Sequence, residues 1–221
     1  MKLDKQGQRI LIVAILFIIT LVAVFSIVNR TKKLPIYEPS DVNPQLVDST
    51  LQNQNTGHRI LPFTLLNQDG EIITEKRIEG KIAVVDFFFT TCGSICPRMT
   101  DEMKRVNEAF EDDENVHFLS YTVYPEVDSV ATLKAYVNNK GLNTQNWDLL
   151  TGTKEKIYPL ARKSYFAVID EPSLEGPDFI HTENFVLVDT KGRLRGFYDG
   201  TNPQSVDVLI EDIKLLQNEK E

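Results

Sequence analysis

Ile82-Ala83-Val84-Val85-Asp86-Phe87-Phe88-Phe89-Thr90-Thr91-Cys92-Gly93-Ser94-Ile95-Cys96-Pro97 carries an apolar run straight into a pair of cysteines. Ile82 to Phe89 is rich in β-branched and aromatic residues. It reads as a strand buried on both faces, the kind found at the centre of a mixed sheet. Pro97 reads as a helix start, because its fixed φ and missing N–H are harmless in the first turn. Met99, Met103, Val106 and Phe110 then recur on one face of that helix. A central strand passed through a short loop to a helix is an α/β arrangement, and the sheet edge beyond such a strand is where α/β proteins place their sites.

The flanking chain fits the same plan. Ile60–Leu66 and Glu71–Thr74 flank Asp69-Gly70, a hairpin signal. Val116–Val123 is the next strand. Ser129 is placed to cap a helix that turns Val130, Leu133 and Val137 inward and stops at Gly141. A further helix follows Thr153, with Pro159 kinking it or delaying its start. Strands over Glu183–Asp189 and Leu194–Asp199 pair across Thr190-Lys191-Gly192. Asn202-Pro203 opens a last helix with Val206, Leu209, Ile210 and Ile213 on one stripe. The predicted order is β-β-β-α-β-α-α-β-β-α, an α/β sandwich around a thioredoxin-like core.

Ahead of residue 57 the chain reads as tail, membrane segment and spacer. Ile10–Val28 holds 19 residues without a charge. As a helix it spans about 28 Å, close to the hydrocarbon thickness of a bilayer. Its end, Ala23-Val24-Phe25-Ser26-Ile27-Val28, lacks the small-residue pattern of a cleavage site, which favours a retained anchor. Three bases lie before the segment and three after it, so loop charge does not fix its orientation. The nine-residue leading tail suits export of everything downstream. Residues 29–56, with Pro35, Pro39 and Pro44 among polar residues, predict a semi-extended spacer, part of which docks through Ile36, Tyr37, Val42, Leu46 and Val47. The domain is expected over 57–221.

The charge is uneven. Six of the 24 Lys/Arg and one of the 32 Asp/Glu fall in residues 1–33, so the other 188 residues carry 18 bases against 31 acids, a net of −13. A body this acidic repels phosphates, and nucleic acid is excluded as a partner.

Cys92 and Cys96 are the only cysteines, so neither has a structural partner elsewhere. Cys96 precedes Pro97, beside the helix N-terminus, where the dipole and free N–H groups are expected to lower its pKa. Cys92 lies four residues back on the same side, a distance open to a disulfide or to shared metal ligation. An inert staple is the plainer reading, but closing so short a loop contributes little. Three histidines could complete a metal site. His117 reads as a partly buried strand residue and His58 as a solvated loop residue. His181 sits at the junction Ile180-His181-Thr182, just before a strand. A redox enzyme of this fold keeps a cis-proline there, whereas the nearest proline here is Pro177. Two thiolates and an imidazole suit Cu(I), and also Cu(II) or Zn(II).

Asp86–Pro97 resembles the C-x-x-x-C-P signature of the Sco/SenC family. Gly57-His58-Arg59-Ile60, Asn146-Trp147-Asp148-Leu149-Leu150-Thr151-Gly152 and His181-Thr182 with Phe185-Val186-Leu187-Val188-Asp189 are similar to further segments of that family, over roughly residues 57–215. The resemblance implies a bacterial inner-membrane protein with one span and its domain on the periplasmic, extracytoplasmic side. It implies copper, Cu(I) or Cu(II), held by Cys92, Cys96 and His181. It also implies a metallochaperone role in assembling the copper A centre of cytochrome c oxidase, with that subunit or another copper or thiol protein as partner. Two positions depart from the family's habit: Ser94 and Ile180 stand where many members carry acids, which removes negative charge from around the site.

The alternative is a metal-free thiol–disulfide oxidoreductase, with Cys92 attacking and Cys96 resolving. The five-residue motif and the missing cis-proline argue against a general one. A peroxiredoxin needs Pro and Thr where Val85 and Phe89 stand. A non-catalytic redox sensor stays open. No phosphate loop, G-x-S-x-G or H-E-x-x-H is present.

Overall fold

The structure, a computed structural model, describes residues 6, 15–21, 33–167 and 183–219. Seven strands form one mixed sheet: β1 (Thr64–Asn67), β2 (Ile72–Thr74), β3 (Ile82–Phe88), β4 (Val116–Thr122), β5 (Trp147–Thr151), β6 (Asn184–Val188) and β7 (Leu194–Asp199). Their spatial order is β2-β1-β5-β4-β3-β6-β7. β3 runs parallel to β4 (Ile82 opposite Val116 through Phe88 opposite Thr122) and antiparallel to β6 (Val84 opposite Leu187). Every residue of β3 is buried, as its composition predicted. Ala83, Val85 and Phe87 belong to one core and Ile82, Val84 and Phe88 to the other, the alternation a pleated strand imposes.

The second core is roofed by α1 (Cys96–Ala109), α2 (Val130–Lys140) and α4 (Pro203–Asn218). Met99, Met103 and Val106 of α1 and Val206, Leu209 and Ile213 of α4 are fully buried. Each contributes about 1.5–3 kcal/mol at most. Ser129 Oγ accepts the Thr132 N–H at 3.2 Å, and Asn202 Oδ1 accepts those of Gln204 and Ser205, so both expected caps form. Gly141 ends α2 at φ 60°. A Cβ there meets nothing nearer than Lys104 Nζ at 3.9 Å. Gly141→Ala should therefore cost about 1–2 kcal/mol purely in left-handed backbone strain, read as a lowered urea midpoint at unchanged slope.

α3 (Lys154–Pro159) passes at Pro159 into a wider π turn, Leu160–Ser164, and both pack on the first core. The sequence placed no strand at Trp147–Thr151. All five residues are buried between β4 and β1, so no two-residue alternation marks the segment.

Leu34–Lys220 forms one compact unit, apart from the residues up to Lys33. The stretch expected as spacer is packed from Leu34. Tyr37 N–H bonds to Leu194 O at 2.9 Å, and two 3-10 turns, Pro39–Asp41 and Pro44–Leu46, carry Val47 into the core. Arg195 is the reason it stays there. Buried in β7, it donates to Leu34 O and Pro35 O at 2.8 and 2.9 Å and to the carboxylates of Asp189 and Glu219 at 3.0 and 2.7 Å. Two main-chain carbonyls of the strap complete the guanidinium's set, an arrangement no local pattern announces.

Residues 15–21 are helical, with the Thr20 hydroxyl satisfied by Leu16 O at 2.7 Å. Among the described residues no helix is long and apolar enough to cross a membrane.

Candidate metal and redox site

β3 delivers the cysteine loop at the sheet's edge. Val123 N–H to Phe88 O (2.8 Å) closes the β3–β4 ladder, Cys92 N–H turns back to Phe89 O (3.3 Å), and α1 begins at Cys96 with Pro97 second. Both cysteines are free thiols. Cys96 is 4% exposed and packs with Met99 and Phe88, whereas Cys92 is half-buried between exposed Thr91 and Gly93.

The two sulfurs hydrogen-bond each other, with opposite consequences. Burial works to raise the Cys92 pKa. Hydrogen bonds from the Cys96 thiol, from the Ser94 and Cys96 N–H groups and from the Ser94 hydroxyl (3.6 Å) outweigh it and bring the value down to about 7. Cys96 is pushed up to about 12, by burial first, then by its bond to Cys92 and by the charges of Cys92 and Asp86. The lowered pKa expected of Cys96 at the helix start falls on Cys92 instead. The loop's N–H groups converge on Cys92, while Cys96 faces the core.

Asp86, to which the sequence reading gave no role, lies buried in β3 near enough to Cys96 for its charge to act on that thiol. Ser120 Oγ donates to its Oδ1 at 2.5 Å and in turn accepts Trp147 Nε1–H at 2.9 Å. Burial lifts its pKa to about 7. A second buried carboxyl, Asp128, takes the Thr90 N–H at 3.1 Å. One carboxylate inside an otherwise apolar central strand is the signal that could have exposed Asp86.

The histidines divide. His58 is buried rather than solvated: Nε2 lies 2.9 Å from Ser164 O, the ring packs tilted against Phe166 with centroids 4.5 Å apart, and burial pulls its pKa down. His117 is buried in β4, with Nε2 2.8 Å from Asp148 Oδ2. His181, with Ile180 and Pro177, lies outside the described residues, among which no cluster of three or more His, Cys, Asp or Glu could hold a metal.

A mixed sheet whose central strand hands a dithiol loop to a buried helix start defines a thioredoxin-like dithiol protein. The SCO1/SenC family model matches residues 51–217, and the chain belongs to that family. It is 35% identical over 160 residues to the SCO1 protein homolog of Bacillus subtilis, covering 71% of this chain and 82% of that one. Among solved structures it is similar to a SCO1/SenC family lipoprotein of Bacillus anthracis: 30% identity, TM-score 0.65, 75% of this chain and 98% of that one. It is also similar to ScoI of Bradyrhizobium japonicum, solved with copper bound: 25% identity, TM-score 0.56, 70% and 98% covered.

Proposed function

We propose that this protein is a copper metallochaperone serving assembly of the copper A centre of cytochrome c oxidase, with copper held by Cys92, Cys96 and His181. The observation that carries the reading is the thiol pair. Two soft donors touch at an accessible sheet edge, and one of them is poised as a thiolate near neutral pH. Membership of the SCO1/SenC family and the copper bound by the Bradyrhizobium relative support the choice of metal. His181 completes the set on sequence grounds.

Ile10–Val28 anchors the chain with the domain on the extracytoplasmic side of the bacterial inner membrane. The Bacillus anthracis relative is a lipoprotein. Here the 19-residue uncharged run Ile10–Val28 supports attachment to the membrane.

Copper analysis of the domain tests the reading. Closing the disulfide removes two electrons and two protons from the sulfurs and leaves no thiolate to bind metal. The reduced domain should bind one copper, the oxidised domain none, and re-reduction should restore it. His181→Ala should bind weakly while still forming and exchanging its disulfide. Stoichiometric copper on the oxidised domain would overturn the ligand set. A second reading, reduction of a partner's cysteines, is favoured by the accessible, acidic Cys92 backed by buried Cys96. It prevails if His181→Ala loses copper yet restores the oxidase fully in cells.

A further inference from the structure

Asp128 lies just before the N-cap of α2 and is fully buried. Its carboxylate reaches across to the chain leaving β3. Oδ2 accepts the Thr90 N–H at 3.1 Å, Oδ1 accepts the Thr90 hydroxyl, and the Thr122 hydroxyl at the end of β4 donates to Oδ2. The Asp128 carbonyl accepts the Thr151 hydroxyl at 2.6 Å, and its N–H donates to Tyr124 O at 2.9 Å. One residue therefore joins the ends of β3, β4 and β5 to the start of α2. Thr90 is its contact on the loop, two positions before Cys92.

All three donors to the carboxylate are uncharged, and Asp128 forms no ion pair among the described residues. Burying a carboxyl in this way is costly unless the geometry uses every acceptor. A fold that needed only a tie between strands could have used a neutral pair. A carboxylate presents two acceptor oxygens where an amide side chain presents one: Oδ2 takes the Thr90 N–H and Oδ1 the Thr90 hydroxyl, main chain and side chain together. That arrests Thr90 as a unit. With Cys92 N–H on Phe89 O, the backbone from Phe89 to Cys92 is then held from both sides.

We infer that Asp128, through Thr90, is a positioning residue for the dithiol: it fixes the approach of Cys92 to Cys96 and so sets how readily the two sulfurs close on each other or share a ligand. The inference rests on the dithiol being the working site. Its readouts are taken on the metal-free protein, so they stand apart from whether copper is the cargo.

Thr90→Val removes the hydroxyl donor and keeps the N–H, Thr90→Ser keeps both, and Asp128→Asn replaces one acceptor oxygen by a donor. The readout is the equilibrium constant for disulfide formation against a glutathione redox buffer, with thermal unfolding measured alongside. With the clamp loosened the open dithiol starts further from its closed geometry, so Thr90→Val should form its disulfide about tenfold less favourably, about 30 mV for two electrons. Asp128→Asn should do the same or more, and Thr90→Ser should match wild type. If Thr90→Val lowers the unfolding temperature but leaves the exchange constant unchanged, the clamp is structural only and the inference falls. It falls equally if Thr90→Ser shifts the constant as far as Thr90→Val. Should Asp128→Asn not fold, the two threonine variants decide alone. A wild type that binds no copper while Thr90→Val still shifts the exchange constant would sink the cargo and leave the positioning role intact.

Discussion

Iodoacetamide at pH 7 should modify the reduced domain at Cys92 and leave Cys96 almost untouched. With pKa values of about 7 and about 12, half of Cys92 is thiolate at that pH, against roughly one part in 10⁵ of Cys96. The more basic thiolate is intrinsically the better nucleophile, which returns about 100- to 300-fold of that gap. About a hundredfold or more remains in favour of Cys92, before the burial of Cys96 is counted. Mass spectrometry of the singly alkylated fraction, taken early, reads the ratio directly. The Cys92 rate should climb through a midpoint near pH 7. In Cys96→Ala that midpoint should move up, because the thiol donor that stabilises the Cys92 anion is gone. Comparable labelling of both residues, or a midpoint near 9, would show that the loop does not hold Cys92 as drawn. The same asymmetry bears on metal and thiol chemistry alike: one sulfur engages the incoming group, and the other follows once its proton has left.

Asp86→Asn should remove a stability loss on the order of 4 kcal/mol that the wild type suffers between about pH 4 and pH 8. The sign follows from the direction of the shift. Burial raises the folded-state pKa of Asp86 to about 7 from 3.8, so the folded protein holds this proton more tightly than the unfolded chain does. The contribution is fully present below pH 3.8 and is lost as pH rises through 7. The asparagine amide of the variant keeps a carbonyl for the Ser120 hydroxyl and has no proton to lose. Asp148 and Asp189 are held below the ordinary carboxylate range despite burial, the first by His117, Asn67 and Arg77, the second by Arg193, Arg195 and the Lys191–Arg193 turn. They act in the opposite direction but are common to both proteins, so the difference between wild type and variant isolates Asp86. Urea midpoints at pH 4.5 and pH 8 are the measurement. Parallel pH profiles would mean that Asp86 is not titrating in the folded protein. Asp86 also raises Cys96, so in the variant the buried thiol should come down as well.

Much of this molecule is readable from short-range pattern. Ile82–Val85 and Phe87–Phe88 are apolar at successive positions because both faces of the strand are covered, as they are within a sheet rather than at its edge. Met99, Met103 and Val106 fall on one side of α1 because the helical period places them there. Ser129, Gly141 and Asn202 mark helix ends because caps and left-handed turns are chemistry of the residue itself. The pairing of Cys92 with Cys96 belongs to the same class, since four residues of loop before a helix start bring the two sulfurs together however the rest packs.

Other features are decided by partners far along the chain. β5 became a strand because β4 and β1 close on it, leaving Trp147–Thr151 buried on both faces with no alternation to read. The strap from Leu34 is held by Arg195, some 160 positions away, whose donors find main-chain carbonyls that any sequence would supply. His58 is buried because Ser164 O and the Phe166 ring lie over it. Which cysteine is the acidic one was likewise a tertiary decision. The helix start is local, but the core that covers Cys96 and the Asp86 carboxyl beside it come from the strands and helices packed around the loop. Local sequence encodes backbone geometry, whereas desolvation and hydrogen bonding depend on whichever atoms the fold brings near, and it is these that set the acidity of each thiol.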